Sequence, residues 1–303
     1  MSTQAVLVPA VVVTPPLALS RRPLESRSLR SVALSGFVWA MAVLASVLLF
    51  SVLYMLIVRG GSRLSVEALT TLPPAGFETG GGFGNAIVGT LGVVGIAALI
   101  SIPVGILCAV FMAELGPDSR LASAVRFAAK TLTGFPSILA GVFAYAAVVL
   151  LTGGYSAPAG GVALAVLMVP TVILTAEESM KMVPKIMKDA AYGMGCTRSQ
   201  VITKIVIPTA MPGVLTGVML AVARAAGETA PLLFTALFSS YWLFSDGELA
   251  LMQPTASLAV LIYNFSGMPF ENQIELAWAA SLVLVMIVLV VNLASRFITR
   301  RKV

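Results

Sequence analysis

Histidine is absent from this sequence, and cysteine occurs only twice, at Cys108 and Cys196. Imidazole and thiolate groups are the usual protein ligands of zinc, copper and haem iron, so no site for these metals is expected. General acid–base and acyl-transfer chemistry built on imidazole is excluded for the same reason. Cys108 lies in an apolar run and Cys196 in a charged loop, so no structural disulfide is expected either.

Charged residues are also scarce. They make up 11% of the 303 residues, whereas 58% are hydrophobic and the mean hydropathy is +0.99. A soluble domain usually carries about 25% charged residues. A water-soluble fold has no way to hide this much apolar surface, so the sequence predicts an all-α integral membrane protein. The net charge of +6 is therefore read from the positions of the basic residues, and no nucleic-acid partner is expected.

The nucleotide-binding motif Gly-x-x-x-x-Gly-Lys-Ser/Thr does not occur in the sequence. A chain without this phosphate-binding loop does not hydrolyse ATP through a P-loop. If ATP drives this protein, a separate subunit must bind the nucleotide.

Residues 1–32 are predicted to form a flexible cytoplasmic tail and not a signal peptide. The apolar stretch from Val6 to Leu19 has no basic residues before it, and Pro15 and Pro16 interrupt it. Signal peptides place their positive charges ahead of the apolar region, whereas here the arginines follow it.

Apolar segments long enough to cross a bilayer follow this tail, since a spanning helix needs roughly 20 residues. The uncharged run 131–176 is too long for one helix, and the Gly- and Pro-rich stretch 152–161 predicts a turn within it. Segment 209–238 is predicted to be one long helix with Arg224 and Glu228 in its middle, because a seventh crossing would place the basic C-terminus outside. The six predicted spans of the permease domain, residues 33–300, are 33–58, 85–113, 131–151, 162–176, 209–238 and 276–295.

The basic residues orient these spans. All but three of the 19 Lys and Arg residues fall in the two termini and the two connections on the same side, and the three others are Arg59, Arg63 and Arg224. Positive charge gathers on the cytoplasmic side of membrane proteins, so both termini are predicted to be cytoplasmic. The outer stretches 59–84 and 239–275 are rich in Gly, Pro and aromatic residues and suit contact with a partner protein.

The predicted cytoplasmic loop 177–208 contains a short motif with the character of a rigid helix. Asp189 suits the first turn of a helix, where it meets the positive end of the dipole. Ala190 and Ala191 leave a smooth face for a groove on another protein, and Gly195 suits a C-terminal position with positive φ. A short rigid helix of this kind suits mechanical coupling to another protein, and the alternative is an amphipathic helix that only lies on the membrane.

Arg224 and Glu228 are ionisable residues within a predicted span, four positions apart on one helix face. A charge at the centre of a membrane helix costs about 2.5–3.5 kcal/mol on insertion scales, which implies a partner, a water-filled cavity or both. A planar guanidinium suits a tetrahedral oxyanion. Arg224, Glu228 and the adjacent Thr229 are therefore predicted to line a substrate path; the alternative is an ion pair that only fixes helix packing.

Two stretches carry a resemblance to a known family. Asp189-Ala-Ala, three residues, Gly195, nine residues and Ile205-Val-Ile-Pro208 resemble the EAA signature of ABC importer permeases, with Asp for Glu and Ile for Leu. This resemblance implies that the element couples the chain to an ATPase. The run from Arg224 to Leu233, Arg-Ala-Ala-Gly-Glu-Thr-Ala-Pro-Leu-Leu, is similar to the hallmark of PstA-type permeases of the bacterial phosphate-specific importer. Gly134-Phe-Pro-Ser-Ile138 fits the same family.

This resemblance implies a MetI-like ABC type I importer permease fold in the bacterial plasma membrane, with lipid around it, and transport of inorganic phosphate into the cytoplasm. It also implies no enzymatic activity and no cofactor in this chain, since ATP and Mg are bound by the partner ATPase. The implied protein partners are a second homologous permease subunit (PstC-like), two ATP-binding subunits (PstB-like) and an extracytoplasmic phosphate-binding protein (PstS-like).

Other functions stay open at this stage. An ABC permease for another oxyanion, such as sulfate or molybdate, would share the coupling loop. A secondary anion carrier would need no ATPase. An intramembrane enzyme is disfavoured, because the sequence has neither histidine nor a clustered pair of carboxylates.

Overall fold

The computed structural model describes residues 26–245 and 248–300. Most of the expected N-terminal tail lies outside the described residues. Where the tail is described it is helical, because helix α1 begins at Ser26 and not at residue 33. No proline or glycine occurs between Pro23 and Gly36, so nothing in this stretch opposes helix formation.

The described part of the chain is almost entirely helical. The helices are α1 (Ser26–Met55), α2 (Val66–Thr70), α3 (Gly84–Val110), α4 (Arg120–Thr133), α5 (Ser137–Ala144), α6 (Leu150–Thr152), α7 (Ala157–Lys181), α8 (Lys185–Gly193), α9 (Arg198–Val201), α10 (Ile207–Ala226), α11 (Ala230–Leu233), α12 (Leu258–Ser266) and α13 (Glu271–Arg300). Strands β1 (Phe244–Ser245) and β2 (Glu248–Leu249) pair antiparallel. Five-residue π-helical turns continue four helices: Leu56–Gly60 after α1, Phe111–Leu115 after α3, Tyr145–Val149 after α5 and Ile202–Val206 after α9.

Long apolar helices account for the predicted membrane spans. Five of them are long and apolar enough to cross a bilayer: Arg30–Gly60, Gly84–Leu115, Ala157–Lys181, Arg198–Ala226 and Glu271–Ala294. A further pair of helices, Arg120–Thr133 and Ser137–Thr152, passes the same test together but is bent by 108°. Counting the bent pair as one span gives six, the number that the sequence predicts.

The third and fourth spans differ from their expected bounds. Helix α4 continues to Thr133, and Gly134 to Pro136 form the sharp bend, so residues 131–133, which were expected to begin the third span, belong to α4 and the helix after the bend begins at Ser137. Helix α7 begins at Ala157 and has 25 residues, where a short span over 162–176 was expected. The Ser156 hydroxyl accepts a hydrogen bond from the Ala159 N–H and starts this helix, so the glycines that follow are helical and not part of a turn.

The fifth span is displaced toward the N-terminus. It runs without a break from Arg198 to Ala226, where a helix over 209–238 was expected. Thr197 and Gln200 form a capping box at its start. The π-helical turn Ile202–Val206 ends two residues before Pro208, and the helix continues past this proline although it has no N–H to donate. The predicted loop 177–208 is therefore mostly helical.

By internal packing the chain divides into the segment up to Leu53 and the segment from Tyr54 onward. The first contains nearly all of α1. In the second, α3 and α7 pack in parallel, with Gly161 beside Ile96 and Gly105 beside Val172. Small residues allow this close approach of helices where lipid supplies no hydrophobic drive for their association.

Candidate functional site

The depth of Arg224 follows from the way α10 packs on α7. Gly213 lies beside Ser179 and Gly217 beside Thr175, one helical turn apart on both helices, so the two helices are antiparallel. Continuing this register by seven residues brings Arg224 level with Met168, at the middle of the 25-residue helix α7. Arg224 therefore lies near the mid-depth of the bundle, although it belongs to the last turn of its own helix.

Helix α10 ends at Ala226, so Arg224 and Glu228 do not lie in the middle of a long helix as expected. The Gly227 N–H donates to the Arg224 carbonyl, which closes the last turn. Pro231 cannot donate a hydrogen bond to the carbonyl four residues before it, so the helix ends before this proline instead of bending at it. Glu228 and Thr229 consequently lie beyond the helix end, in the connection to α11.

The predicted ion pair between Arg224 and Glu228 is present, at the end of α10 and not in the middle of a helix. Arg224 Nε lies 3.4 Å from Glu228 Oε1. The Arg224 side chain is 46% exposed and that of Glu228 is 18% exposed. Within the described residues this is the one hydrogen bond of the Arg224 side chain, so its terminal nitrogens remain available to bind an anion.

Thr229 stands at the start of α11. Its carbonyl accepts hydrogen bonds from the N–H groups of Leu232 and Leu233, and its side chain is partly buried. Thr229 thus directly follows Glu228 in the chain and lies at the break between α10 and α11.

The chain beyond Thr229 is mostly irregular, and packing contacts and hydrogen bonds hold it in place. Pro231 packs directly on Gly141 of α5. The buried Thr235 donates its hydroxyl proton to the Pro231 carbonyl at 2.8 Å, and its own carbonyl accepts from the Ser156 N–H at 3.0 Å. The side chain of Asn85 donates to the carbonyls of Ser239 and Tyr241. Non-helical backbone at membrane depth requires such internal hydrogen bonds.

The exposed face of α10 extends from Arg224 toward the helix start. Leu220 and Thr216 lie one and two turns before Arg224 on this face, and both are exposed. Leu220 is 59% exposed. Because a guanidinium at this depth is costly in lipid, the face that carries it is expected to meet a partner or water.

The expected coupling segment is helix α8, and Gly195 just after it has φ +83°. This is the positive φ that the sequence predicts for a residue ending a helix. Asp189 is exposed but is the fifth residue of α8, so it does not lie in the first turn as expected. The helix starts earlier than predicted relative to Asp189, because Pro184 is its N-cap and Lys185 is the first helical residue.

Ala190 and Ala191 do not form a common smooth face. Ala190 is exposed, whereas Ala191 is fully buried in the main core of the protein. Successive helix residues point about 100° apart, so one of the pair must turn inward once the helix packs on its own chain. Of the four predicted coupling residues, Asp189, Ala190 and Gly195 are exposed.

Sequence reasoning missed a set of ion pairs at the Lys181 end of α7. The buried Glu177 contacts Arg126 and Lys181, both at 2.6 Å. Glu114, at the end of the second span, contacts Lys188 of α8 at 2.5 Å. A carboxylate at the end of an apolar span is itself a signal that a basic partner lies near.

The sequence is similar to those of known transport proteins. The sequence pattern of the family described as "Binding-protein-dependent transport system inner membrane component" matches residues 101–303. The "Phosphate transport system permease protein PstA" of Yersinia pestis is 38% identical over 251 residues, which cover 83% of each chain. That of Haemophilus influenzae is 39% identical, covering 83% of this chain and 87% of the relative. The "Probable phosphate transport system permease protein PstA" of Methanocaldococcus jannaschii is 34% identical, covering 91% and 96%.

Solved structures share the fold. A chain of the MetNI methionine ABC transporter in an inward-facing conformation has a TM-score of 0.57 and 18% identity, covering 72% of this chain and 93% of that one. A chain of a bacterial alginate ABC transporter, solved with an alginate-bound periplasmic protein, has a TM-score of 0.62 and 14% identity, covering 92% and 98%. At these identities the likeness concerns the fold alone.

Proposed function

The chain belongs to the family of binding-protein-dependent transport system inner membrane components and, within it, to the PstA phosphate transport permeases, and from this premise we propose that Arg224 binds the phosphate it transports. The protein is a multi-pass inner-membrane permease subunit of a phosphate ABC importer. It is a transport subunit and not an enzyme.

One observation carries the role of Arg224. Its guanidinium lies near the mid-depth of the bundle, is 46% exposed and has a single weak bond to Glu228. An Arg–carboxylate contact of 3.4 Å is long for a charge-assisted hydrogen bond. An incoming phosphate can therefore bind the guanidinium without first breaking a strong ion pair.

Glu228 has a complementary role in this proposal. Its carboxylate offsets part of the charge of Arg224 when no anion is bound, which lowers the cost of holding the guanidinium at this depth. When phosphate binds, repulsion from Glu228 opposes tight retention. A transport site must bind its substrate and then release it, so a moderate affinity is an advantage.

The orientation follows from the basic residues. With both termini in the cytoplasm, helix α8 and the Lys181 end of α7 face the cytoplasm, and stretches 59–84 and 239–275 face outward. Helix α8 then offers Asp189 and Gly195 to an ATP-binding subunit, which supplies the ATP and Mg that this chain does not bind.

The remaining partners follow from the same proposal. A second homologous permease covers the exposed face of α10, so that phosphate passes between the two subunits. An extracytoplasmic phosphate-binding protein docks on the two outward stretches. Two ATP-binding subunits complete the importer.

The experiment replaces Arg224 in the complete importer. We expect Arg224→Gln to lower ATP-dependent uptake of labelled phosphate by about thirtyfold or more, since truncating one partner of a desolvated charge pair costs about 2–5 kcal/mol. Membrane abundance should be unchanged. Arg224→Lys should retain more uptake than Arg224→Gln, because it keeps the charge but loses the planar, bidentate donors.

Two outcomes would contradict the proposal. Undiminished uptake by Arg224→Gln would remove Arg224 from the path. Stronger inhibition of wild-type uptake by sulfate or molybdate than by unlabelled phosphate would assign the importer to another oxyanion.

A further inference from the structure

Helix α8 is joined to the end of the second span by side chains outside the EAA-like motif. Lys188 Nζ lies 2.5 Å from Glu114 Oε1. Their side chains are 18% and 10% exposed, so water screens the pair only partly. Glu114 belongs to the π-helical turn Phe111–Leu115, which forms the last turn of that span.

A second contact ties the same turn to the start of the fifth span. The Arg198 guanidinium donates to the carbonyl oxygens of Glu114 and Leu115, the latter at 2.9 Å. The last carbonyls of a helix lack partners within it and carry its negative dipole end, so a cation is favoured there. Arg198 is the first residue of α9, directly after the cap at Thr197.

Glu114 and its turn therefore contact both α8 and the start of the fifth span. Lys188 connects them to α8, and Arg198 connects them to the continuous helix that ends beside Arg224. Apolar packing supports the arrangement, since Ala191 of α8 and Val201 of α9 are both buried in the main core.

We propose that Glu114, Lys188 and Arg198 form a joint that transmits movement of α8 to the second and fifth spans. These three are positioning residues, and the inference rests on the proposed function, in which an ATP-binding subunit moves α8. A push on α8 is carried by the Glu114–Lys188 pair to the end of the second span. Arg198 makes the start of the fifth span follow, and with it Arg224.

The test is a charge-swap cycle in the complete importer, reconstituted with its ATP-binding, second permease and phosphate-binding subunits. The variants are Glu114→Lys, Lys188→Glu and the double swap. Phosphate transported per ATP hydrolysed should fall about fivefold or more in each single variant and recover most of this loss in the double swap, because paired residues show such coupling when their interaction is restored.

Matched controls reverse a charge elsewhere near the same end of the bundle. Glu178 on α7 and Lys130 on α4 are both exposed. Glu178→Lys and Lys130→Glu should leave the transported phosphate per ATP unchanged. A loss in these controls as large as in the single variants would overturn the proposal, because it would reflect net charge and not the pair.

Thermal unfolding of the purified complexes separates a joint from a purely structural pair. Single variants that unfold at lower temperature but keep the wild-type ratio of phosphate to ATP would overturn the proposal, as would a double swap that regains stability but not the ratio. Wild-type importer that moves no phosphate would instead refute the proposed function. In that case the joint is tested by the stimulation of ATPase activity by the binding protein. The single variants should lose this stimulation and the double swap should regain it. Unchanged stimulation in the single variants would overturn the proposed joint.

Discussion

At the scale of single residues, Arg224 illustrates how a charge is held at membrane depth. Its insertion cost of about 2.5–3.5 kcal/mol is offset in part by the negative end of its own helix, worth about 0.3–1 kcal/mol. Glu228 contributes a contact of 3.4 Å, which is too long to be a strong hydrogen bond. These contributions do not cover the cost, so the exposed part of the side chain requires water, a partner subunit or an anion.

Gly195 gives a residue-scale prediction about α8. Its φ of +83° is unfavourable for any other residue by about 1–2 kcal/mol, and no atom lies within 4 Å of an added Cβ. We expect Gly195→Arg to abolish transport-linked ATPase activity, because the long side chain projects from the surface that is proposed to meet the ATP-binding subunit. ATPase assays with and without the phosphate-binding protein measure this.

Gly153 supplies the matched control, since it has φ +77° and equally open surroundings. Gly153→Arg introduces the same backbone strain outside the coupling segment. It should therefore keep transport-linked ATPase activity. Equal losses in the two variants, or none in Gly195→Arg, would refute the coupling role of this segment.

At the scale of elements, the periodicity and charge of the sequence predict the number of spans, but local chemistry alone does not define where they end. Gly160 and Gly161 look like turn residues, yet they are helical because α7 packs closely on its neighbours there. Pro208 looks like a helix start, yet a π-helical turn carries the helix past it. Single-residue preferences therefore do not predict where these helices begin.

In the candidate site, too, some features can be predicted from the sequence and others cannot. The motif places Gly195 at a position with positive φ, which the sequence predicts. The burial of Ala191 depends on packing against the chain's own core, so the sequence pattern does not reveal it. The pairing of Glu114 with Lys188 joins residues 74 positions apart, and a single sequence carries no signal for that partner choice.

The contact between α10 and α7 yields an element-scale prediction. A Cβ added at Gly217 would come within 2.1 Å of Thr175 Oγ1. Such overpacking costs about 1–3 kcal/mol, so Gly217→Ala should lower the unfolding temperature of the detergent-purified importer by roughly 2–10 °C. Phosphate uptake should fall with it, because this contact sets the depth of Arg224.

Gly95 on α3 is the corresponding control, because no atom lies within 4 Å of its added Cβ. Gly95→Ala should unfold at or above the wild-type temperature, since alanine favours helix by about 1 kcal/mol relative to glycine. If Gly217→Ala were as stable as Gly95→Ala, the close packing of α10 on α7 would be incorrect.

At the scale of the whole molecule, the fifth span is a regular helix up to Ala226 and is followed by an irregular segment. Helix α10 ends level with the middle of α7, and the chain from Gly227 onward is held by hydrogen bonds to Ser156 and Asn85. A helix that stops at mid-depth exposes polar groups where a substrate can reach them, as in other transport proteins with broken helices. In the proposed importer, the exposed face of α10 forms one wall of the path and the second permease subunit forms the other.

The most direct test of this account is the reactivity of a cysteine placed beside Arg224 in the assembled importer, with Cys108 and Cys196 replaced by serine. Leu220→Cys lies one turn from Arg224 on its exposed face. Leu107→Cys is the control, since Leu107 is 70% exposed on α3 and lies at a similar depth by the register of α3 with α7. The account predicts that an anionic thiol reagent modifies Leu220→Cys but not Leu107→Cys, and that phosphate slows the reaction while chloride does not. Equal reactivity at the two positions, or a reaction at Leu220→Cys that phosphate leaves unchanged, would contradict it.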